Sequence, residues 1–150
     1  IETVLRDTGG DLKAASLALI RLPEAWAPMA KLRGPADYVL AVTRAMDLPA
    51  ERRPRVREVM AGLGQPLFNA PLPNGWPDTA ADWSSPEAMM RRIDWAYAAA
   101  ARAAGLDPMT VADNTLGPLL AQGTRSEMAR AGSRREAITL LFSAPEFQRR

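Results

Sequence analysis

The residues best placed to do chemistry in this chain are carboxylates set among tryptophans and prolines. Asp78 and Asp82 lie between Trp76 and Trp83, and Glu87 follows at the start of the next helical pattern. Carboxylate pairs beside indole platforms are what glycosidases use, one acid protonating the leaving oxygen while the other acts as nucleophile or base. A plainer reading competes: Asp78 and Asp82 satisfy turn amides, and Trp76 and Trp83 are core anchors. A third makes Asn69, Asn74 and Trp76 a sugar-binding surface without catalysis. Together with Trp95 these residues, Asn69, Asn74, Trp76, Asp78, Asp82 and Trp83, form the candidate ligand or partner surface. No single residue among them is assigned a catalytic role.

What the chain lacks narrows the chemistry further. It contains no histidine and no cysteine. That removes the commonest general base, the commonest metal ligand, thiolate nucleophiles and disulfides together. A Ser-His-Asp arrangement cannot be built from these residues. Asp107 to Asn114 carries acids but not the spacing or central glycine of a calcium loop. Gly62-Leu63-Gly64 follows a helical pattern rather than a strand, so it is not a phosphate loop. No metal and no cofactor is expected.

Charge excludes less. The net charge is +2 and the sequence pI about 9.5, and all but Lys13 and Lys31 of the 19 basic residues are arginine. The only dense cluster, Arg52-Arg53-Pro54-Arg55-Val56-Arg57, is flanked by Glu51 and Glu58. Interspersed acids favour ion-paired helix surfaces over the one-sided basic stripe that nucleic acid requires, so no nucleic-acid partner is expected. Lys31, Asp37 and Arg44 could hold an acidic ligand. Their simpler role is a salt-bridged joint between a helix and a loop.

The elements that must position these groups read as helices. With 47% apolar residues over 150 positions, the chain can bury a core, and no apolar run reaches membrane-spanning length. Asp11 caps a helix whose expected core positions are Leu12, Ala15, Leu19 and Leu22, ended by Pro23. Pro23 to Trp26 reads as a short turn, and 27–34 as a connection. A helix from Gly34 to about Leu48 presents Val39, Val42 and Met46, with Tyr38 and Ala45 at its edge. A third runs from Leu48 through Val56, Val59, Met60 and Leu63, with Pro54 early in it.

Residues 63–83 break this pattern. Pro66, Pro71, Pro73 and Pro77 exclude a helix, yet Leu67, Phe68, Leu72, Trp76 and Trp83 make the segment too apolar for a solvated loop. It is expected to lie strapped across the helices. Ser84-Ser85-Pro86-Glu87 then opens the longest helix, to about Ala104. Its expected core stripe is Met90, Ile93, Tyr97, Ala100 and Ala104. Trp95 falls on the opposite face among Arg91, Ala98 and Arg102, and the Pro/Trp loop is expected to cover it.

Shorter helices follow: Asp107 to Asn114, Leu116 to Gln122, and a turn opened by the capping-box spacing Thr124-Arg-Ser-Glu127. The same spacing, Ser133-Arg-Arg-Glu136, opens the last main helix, with Ala137, Leu140, Leu141 and Ala144 inward. That helix echoes the first, since Asp11 to Pro23 and Ser133 to Pro145 have the same cap-to-proline length and both run into Pro-Glu. No stretch alternates with period two, so no sheet is expected.

These residues resemble one family throughout. Gly10-Asp-Leu-Lys to Leu22-Pro-Glu-Ala-Trp26, Lys31 to Val39 with Arg44, Gly64-Gln-Pro-Leu-Phe-Asn-Ala-Pro, Asn74-Gly-Trp76, Trp83, and Ser143-Ala-Pro-Glu-Phe-Gln148 follow its order. It is the bacterial domain-of-unknown-function family numbered 1800, and the chain resembles the C-terminal part of a typical member. In place of the family's usual aromatic after Pro23-Glu24 stands Ala25, so that turn is expected to pack differently. The resemblance implies a helical protein, in many members an exported one, whose genes commonly neighbour those of an uncharacterised sulfatase-like exported family. It implies no catalytic residue.

The expectation is therefore an all-α bundle of five to seven helices across 1–150, a single helical domain with the Pro/Trp loop packed across it. Its leading function is a non-catalytic structural or protein-interaction module, docking against the N-terminal part of the same protein or an exported partner. The alternative is part of a cell-envelope enzyme or polysaccharide-binding protein with a Trp-lined site. A periplasmic or exported location follows from the resemblance alone.

Overall fold

A computed structural model describes residues 1–27 and 29–150; Pro28, within the expected connection 27–34, lies outside the described residues. These group into two units, Ile1–Ala30 and Lys31–Arg150. All regular structure is helical, in ten α-helical segments and four 3-10 turns among the described residues. The excess over five to seven comes from helices of four to seven residues.

In Ile1–Ala30, α1 (Glu2–Asp7) and α2 (Leu12–Ile20) pack on each other, and a 3-10 turn follows at Pro23–Trp26. Gly9 and Gly10 have φ of 65° and 95°, which glycine adopts without a Cβ penalty, and they reverse the chain between the helices. Asp11 caps α2 by accepting from the backbone N–H groups of Lys13 at 2.8 Å and Ala14 at 3.2 Å. The expected core of this helix is not buried. Ala15 alone is, while Leu12 is 74% exposed and Leu19 and Leu22 also face solvent. The unit is too small to enclose so wide an apolar face.

Lys31–Arg150 holds the main core, centred on α9 (Arg134–Ser143), which packs against α6 (Pro86–Ala100), α7 (Pro108–Thr115), α8 (Gln122–Arg130) and α10 (Pro145–Gln148). Ile138, Leu141 and Phe142 are fully buried, each worth about 1.5–3 kcal/mol of apolar transfer. Leu140, expected inward, is 39% exposed. Ser133 caps α9 through the N–H of Glu136, but the Glu136 carboxylate takes the N–H of Gly132 rather than that of Ser133, so the capping box is displaced by one residue.

The face of α6 is rotated from the expected one. Of the expected stripe Met90, Ile93, Tyr97 and Ala104 are exposed and only Ala100 is buried, together with Arg92, Ala96, Ala99 and, in the turn that follows α6, Ala103. Counting large apolar residues misled here, because the alanine stripe allows close approach of α9 and so takes the inside. On α3 (Pro35–Met46) the expected Val39, Val42 and Met46 are buried, and Tyr38 is fully buried rather than at the edge. The long third helix is divided into a 3-10 turn at Ala50–Arg52 and α4 (Val56–Gly62), since Pro54 cannot continue a helix. Likewise Pro118 leaves only a 3-10 turn at Gly117–Leu119, and α8 begins at Gln122 without a cap from Thr124.

The chain end is tied back by main-chain pairing. The N–H of Lys31 donates to Arg150 O and that of Arg150 to Lys31 O, while Arg33 N–H donates to Gln148 O at 2.8 Å. These bonds make an isolated bridge at Leu32 and Arg149, not a sheet. Glu146 adds a tether by accepting from Ala121 N–H at 3.0 Å. Burial pushes its carboxyl up, but hydrogen bonds from Thr124 and Ala121 outweigh this and hold it below the usual range.

Candidate functional site

The Pro/Trp segment is anchored at its ends and open in its middle. Gln65 Oε1 accepts from the N–H of Ala36 at 2.8 Å, an orphan donor in the first turn of α3. At the other end the segment is not wholly non-helical as expected. Beyond Pro77, the last of its prolines, α5 (Ala80–Trp83) forms and turns Trp83 inward, where its indole N–H donates to Pro77 O at 2.8 Å. Trp76 is half-buried against Trp83, with ring centroids 6.1 Å apart. Between these anchors residues 67–74 are exposed, including Leu67, Leu72 and a fully exposed Phe68 at φ 59°.

Trp76 and Trp83 wall a cleft of about 150 Å³ with Lys31, Asp37, Asp78 and Arg150. Two candidate groups that are distant in sequence thus meet, the Trp/Asp surface and the Lys31/Asp37 joint. Asp37 is paired with Arg150 at 3.1 Å, half-exposed on both sides, so most of its charge remains answerable to solvent or ligand. Arg44 is not part of this joint. It lines a different cleft of about 490 Å³ with Arg33, Asp47 and Asn114.

The carboxylates do not share one task. Asp82 accepts from the Thr79 hydroxyl at 2.6 Å in the turn before α5, and Glu87 pairs with Arg91 at 3.0 Å. Of Asp78, Asp82 and Glu87, Asp78 alone lines the cleft with Trp76, where the other carboxylate is that of Asp37. Asn69 and Asn74 sit on the exposed stretch. Trp95 lies elsewhere on α6, edge-on to Tyr38 with centroids 5.6 Å apart, and its open side faces Val59 and Leu63 rather than the proline-rich loop. Among the described residues no group of three or more acidic side chains is placed to hold a metal ion, and no helix is long and apolar enough to cross a membrane.

Sequence reasoning missed a buried polar cluster beneath α3. Arg92 is 1% exposed, donates to Gln148 Oε1 at 2.8 Å and lies over the Tyr38 ring, 5.3 Å from its centroid. Gln148 Nε2 and the Tyr38 hydroxyl both donate to Phe142 O, at 2.8 and 3.1 Å. Burial lowers the Arg92 pKa and raises that of Tyr38, each favouring the uncharged form. Among the described residues Arg92 is in no ion pair with a carboxylate, and its Nη2 has no hydrogen-bond partner. The signal available in sequence was the alanine stripe of α6, which places Arg92 on the buried side four residues before Ala96.

The described residues form an all-α fold with a Trp-walled cleft, built from a chain that contains no histidine and no cysteine. The chain belongs to the family described as protein of unknown function (DUF1800), which it matches over residues 1–149. No curated protein and no solved structure matches it.

Proposed function

We propose that this chain is a non-catalytic structural and protein-interaction module of a larger, exported protein. It docks against the N-terminal part of that protein or against an exported partner. The observation that carries the reading is the apolar face of Ile1–Ala30. Leu12 and Trp26 are 74% and 72% exposed, and Leu17, Leu19, Ile20 and Leu22 lie open around them. Large apolar side chains left open in such number on one short unit favour an interaction role, because their exposure to water costs about 25 cal/mol per Å².

A photo-crosslinking residue placed at Leu12 or Trp26, in the full protein in its native cells, tests this directly. The expected product joins this face to one defined protein segment, and Ile20→Lys removes it. Crosslinking to nothing beyond solvent, in correctly folded protein, sinks the reading.

A second reading rests on the Trp76 cleft. A half-exposed indole beside Asp78, with Lys31 and Arg150 within the same cleft, is the composition of a saccharide subsite. Here the chain would contribute a Trp-lined wall to a cell-envelope polysaccharide-binding protein or enzyme. Titration with cell-wall oligosaccharides, followed by tryptophan fluorescence, is expected to show saturation that Trp76→Ala abolishes. An unchanged spectrum at saturating sugar rejects it.

A further inference from the structure

The arginine cluster that reads in sequence as ion-paired surface forms one end of a groove. Arg52, Arg53 and Arg55 line a cleft of about 690 Å³ together with Arg102, which comes from the turn after α6, some fifty residues away. Its apolar floor is Val59 and Trp95. The same two residues line a second cleft of about 280 Å³, whose other walls are Gly62, Leu63, Arg91 and Asp94. The two clefts share this floor between α4 and α6, with an excess of arginine at the Arg102 end and, at the Leu63 end, apolar walls beside Arg91 and Asp94, whose charges offset each other.

The cationic end is held in place rather than left to wander. Arg52 Nη2 donates to Arg102 O, and Arg53 Nε donates to Leu48 O at 2.7 Å. Each bond fixes one N–H and leaves the rest of the fork available, so less rotamer entropy is lost when an anion arrives. Arg55 is the exception, paired with Glu58 at 3.0 Å. Glu51 also lines the cleft, which leaves four guanidinium groups against two carboxylates, an excess of two positive charges. Arg102 has no carboxylate partner among the described residues.

We propose that this groove binds an extended acidic peptide segment of a partner protein, with carboxylates on Arg53 and Arg102 and a following apolar side chain against Val59, Trp95 and Leu63. The inference rests on the reading of the chain as an interaction module and names the chemistry of one partner, on a surface separate from the α2 face. Charge complementarity selects the acidic end. The apolar continuation selects a polypeptide over a nucleic acid strand, whose uniform phosphates would meet Glu51 and Glu58 at one end and no cation-rich track at the other.

The test is fluorescence anisotropy with the full chain and a dye-labelled peptide of consecutive glutamates followed by leucines. Saturable binding that weakens as salt is raised is expected. Arg102→Gln, an exposed change that leaves the thermal midpoint in place, is expected to cost about tenfold in affinity, the scale of one charge-assisted bond. Arg53→Gln should cost a similar factor of about ten, whereas Arg6→Gln, in the other unit, changes nothing. Replacing the glutamates by glutamine abolishes binding, and replacing the leucines by serine weakens it. The proposal is overturned if the peptide does not bind, if Arg102→Gln binds as tightly as the parent, or if an oligothymidylate competes for the groove with equal affinity. Should the peptide fail while crosslinks through Leu12 persist, the groove inference falls and the module reading stands.

Discussion

Arg92 shows how much one residue can decide. A guanidinium with no carboxylate partner is normally expelled from a core, yet here Gln148, the Tyr38 ring and tight packing retain it. Its stem also fills volume between α3 and α6. Arg92→Ala is expected to destabilise the fold by about 3 kcal/mol, combining a cavity with the loss of the Gln148 bond. Arg92→Met keeps the volume and removes the desolvated charge, so its cost should stay within about 1 kcal/mol. Denaturant titration of the two variants separates packing from charge. Equal losses would show that the bond to Gln148, not the filled volume, is what matters.

Tyr38 carries a pH signature from the same cluster. Burial raises its phenol pKa, against opposing pulls from the Gln148 hydrogen bond and the Arg92 charge. A raised folded-state pKa means that the folded chain holds this proton after the unfolded chain has begun to lose it. Its contribution is whole below the unfolded tyrosine value of about 10 and is lost as pH climbs above it. The denaturation midpoint is expected to fall from about pH 10 upward in the parent protein, and more gently in Tyr38→Phe. The phenylalanine variant should itself cost about 1 kcal/mol at neutral pH through the lost bond to Phe142 O. Parallel alkaline profiles for the two proteins would contradict this.

At the scale of elements, helix ends follow local chemistry while helix faces follow neighbours. Asp11, Ser85, Asp107 and Ser133 each cap the helix that their sequence announces. The C-terminal end of α3 is less well served, because Asp47 sits in the left-handed region at φ 38°. Glycine takes that position without a Cβ clash, so Asp47→Gly is expected to stabilise by about 0.5–1 kcal/mol, read as a higher thermal midpoint. The two proline-terminated helices make the complementary point. Their caps and stops match in sequence, yet Phe147 is 2% exposed and Trp26 72% exposed. The second has α9 and α3 to receive its aromatic. Among the described residues the first has an N–H···O bond from the Trp26 indole to Ile20 O at 2.6 Å.

For the molecule as a whole, the open apolar side chains concentrate in Ile1–Ala30 and on residues 67–72. If they serve an interface, they contribute little to the stability of the isolated chain. Leu12→Glu combined with Trp26→Glu is expected to shift unfolding free energy by less than about 0.5 kcal/mol, as for surface changes elsewhere. The same pair should reduce self-association and dye binding to apolar surface, measured by sedimentation and fluorescence. A large stability loss would instead place these side chains in the core of the folded state.

The sequence by itself determined the all-helical class, the N-caps at Asp11, Ser85, Asp107 and Ser133 and the proline breaks, because each rests on interactions within a few residues, and the order of its residues along the chain showed the family. It also placed the Trp76 and Asp78 segment outside the helices. Only the tertiary structure decided which face of α6 is buried, since alanine can face either way and the approach of α9 selects the close-packing side. The tertiary structure likewise brought Lys31, Asp37 and Arg150 to Trp76, gave Arg92 its place in the core, and joined Arg52 to Arg102 across some fifty residues. Those outcomes depend on long-range packing and shared desolvation, which no spacing along the chain encodes.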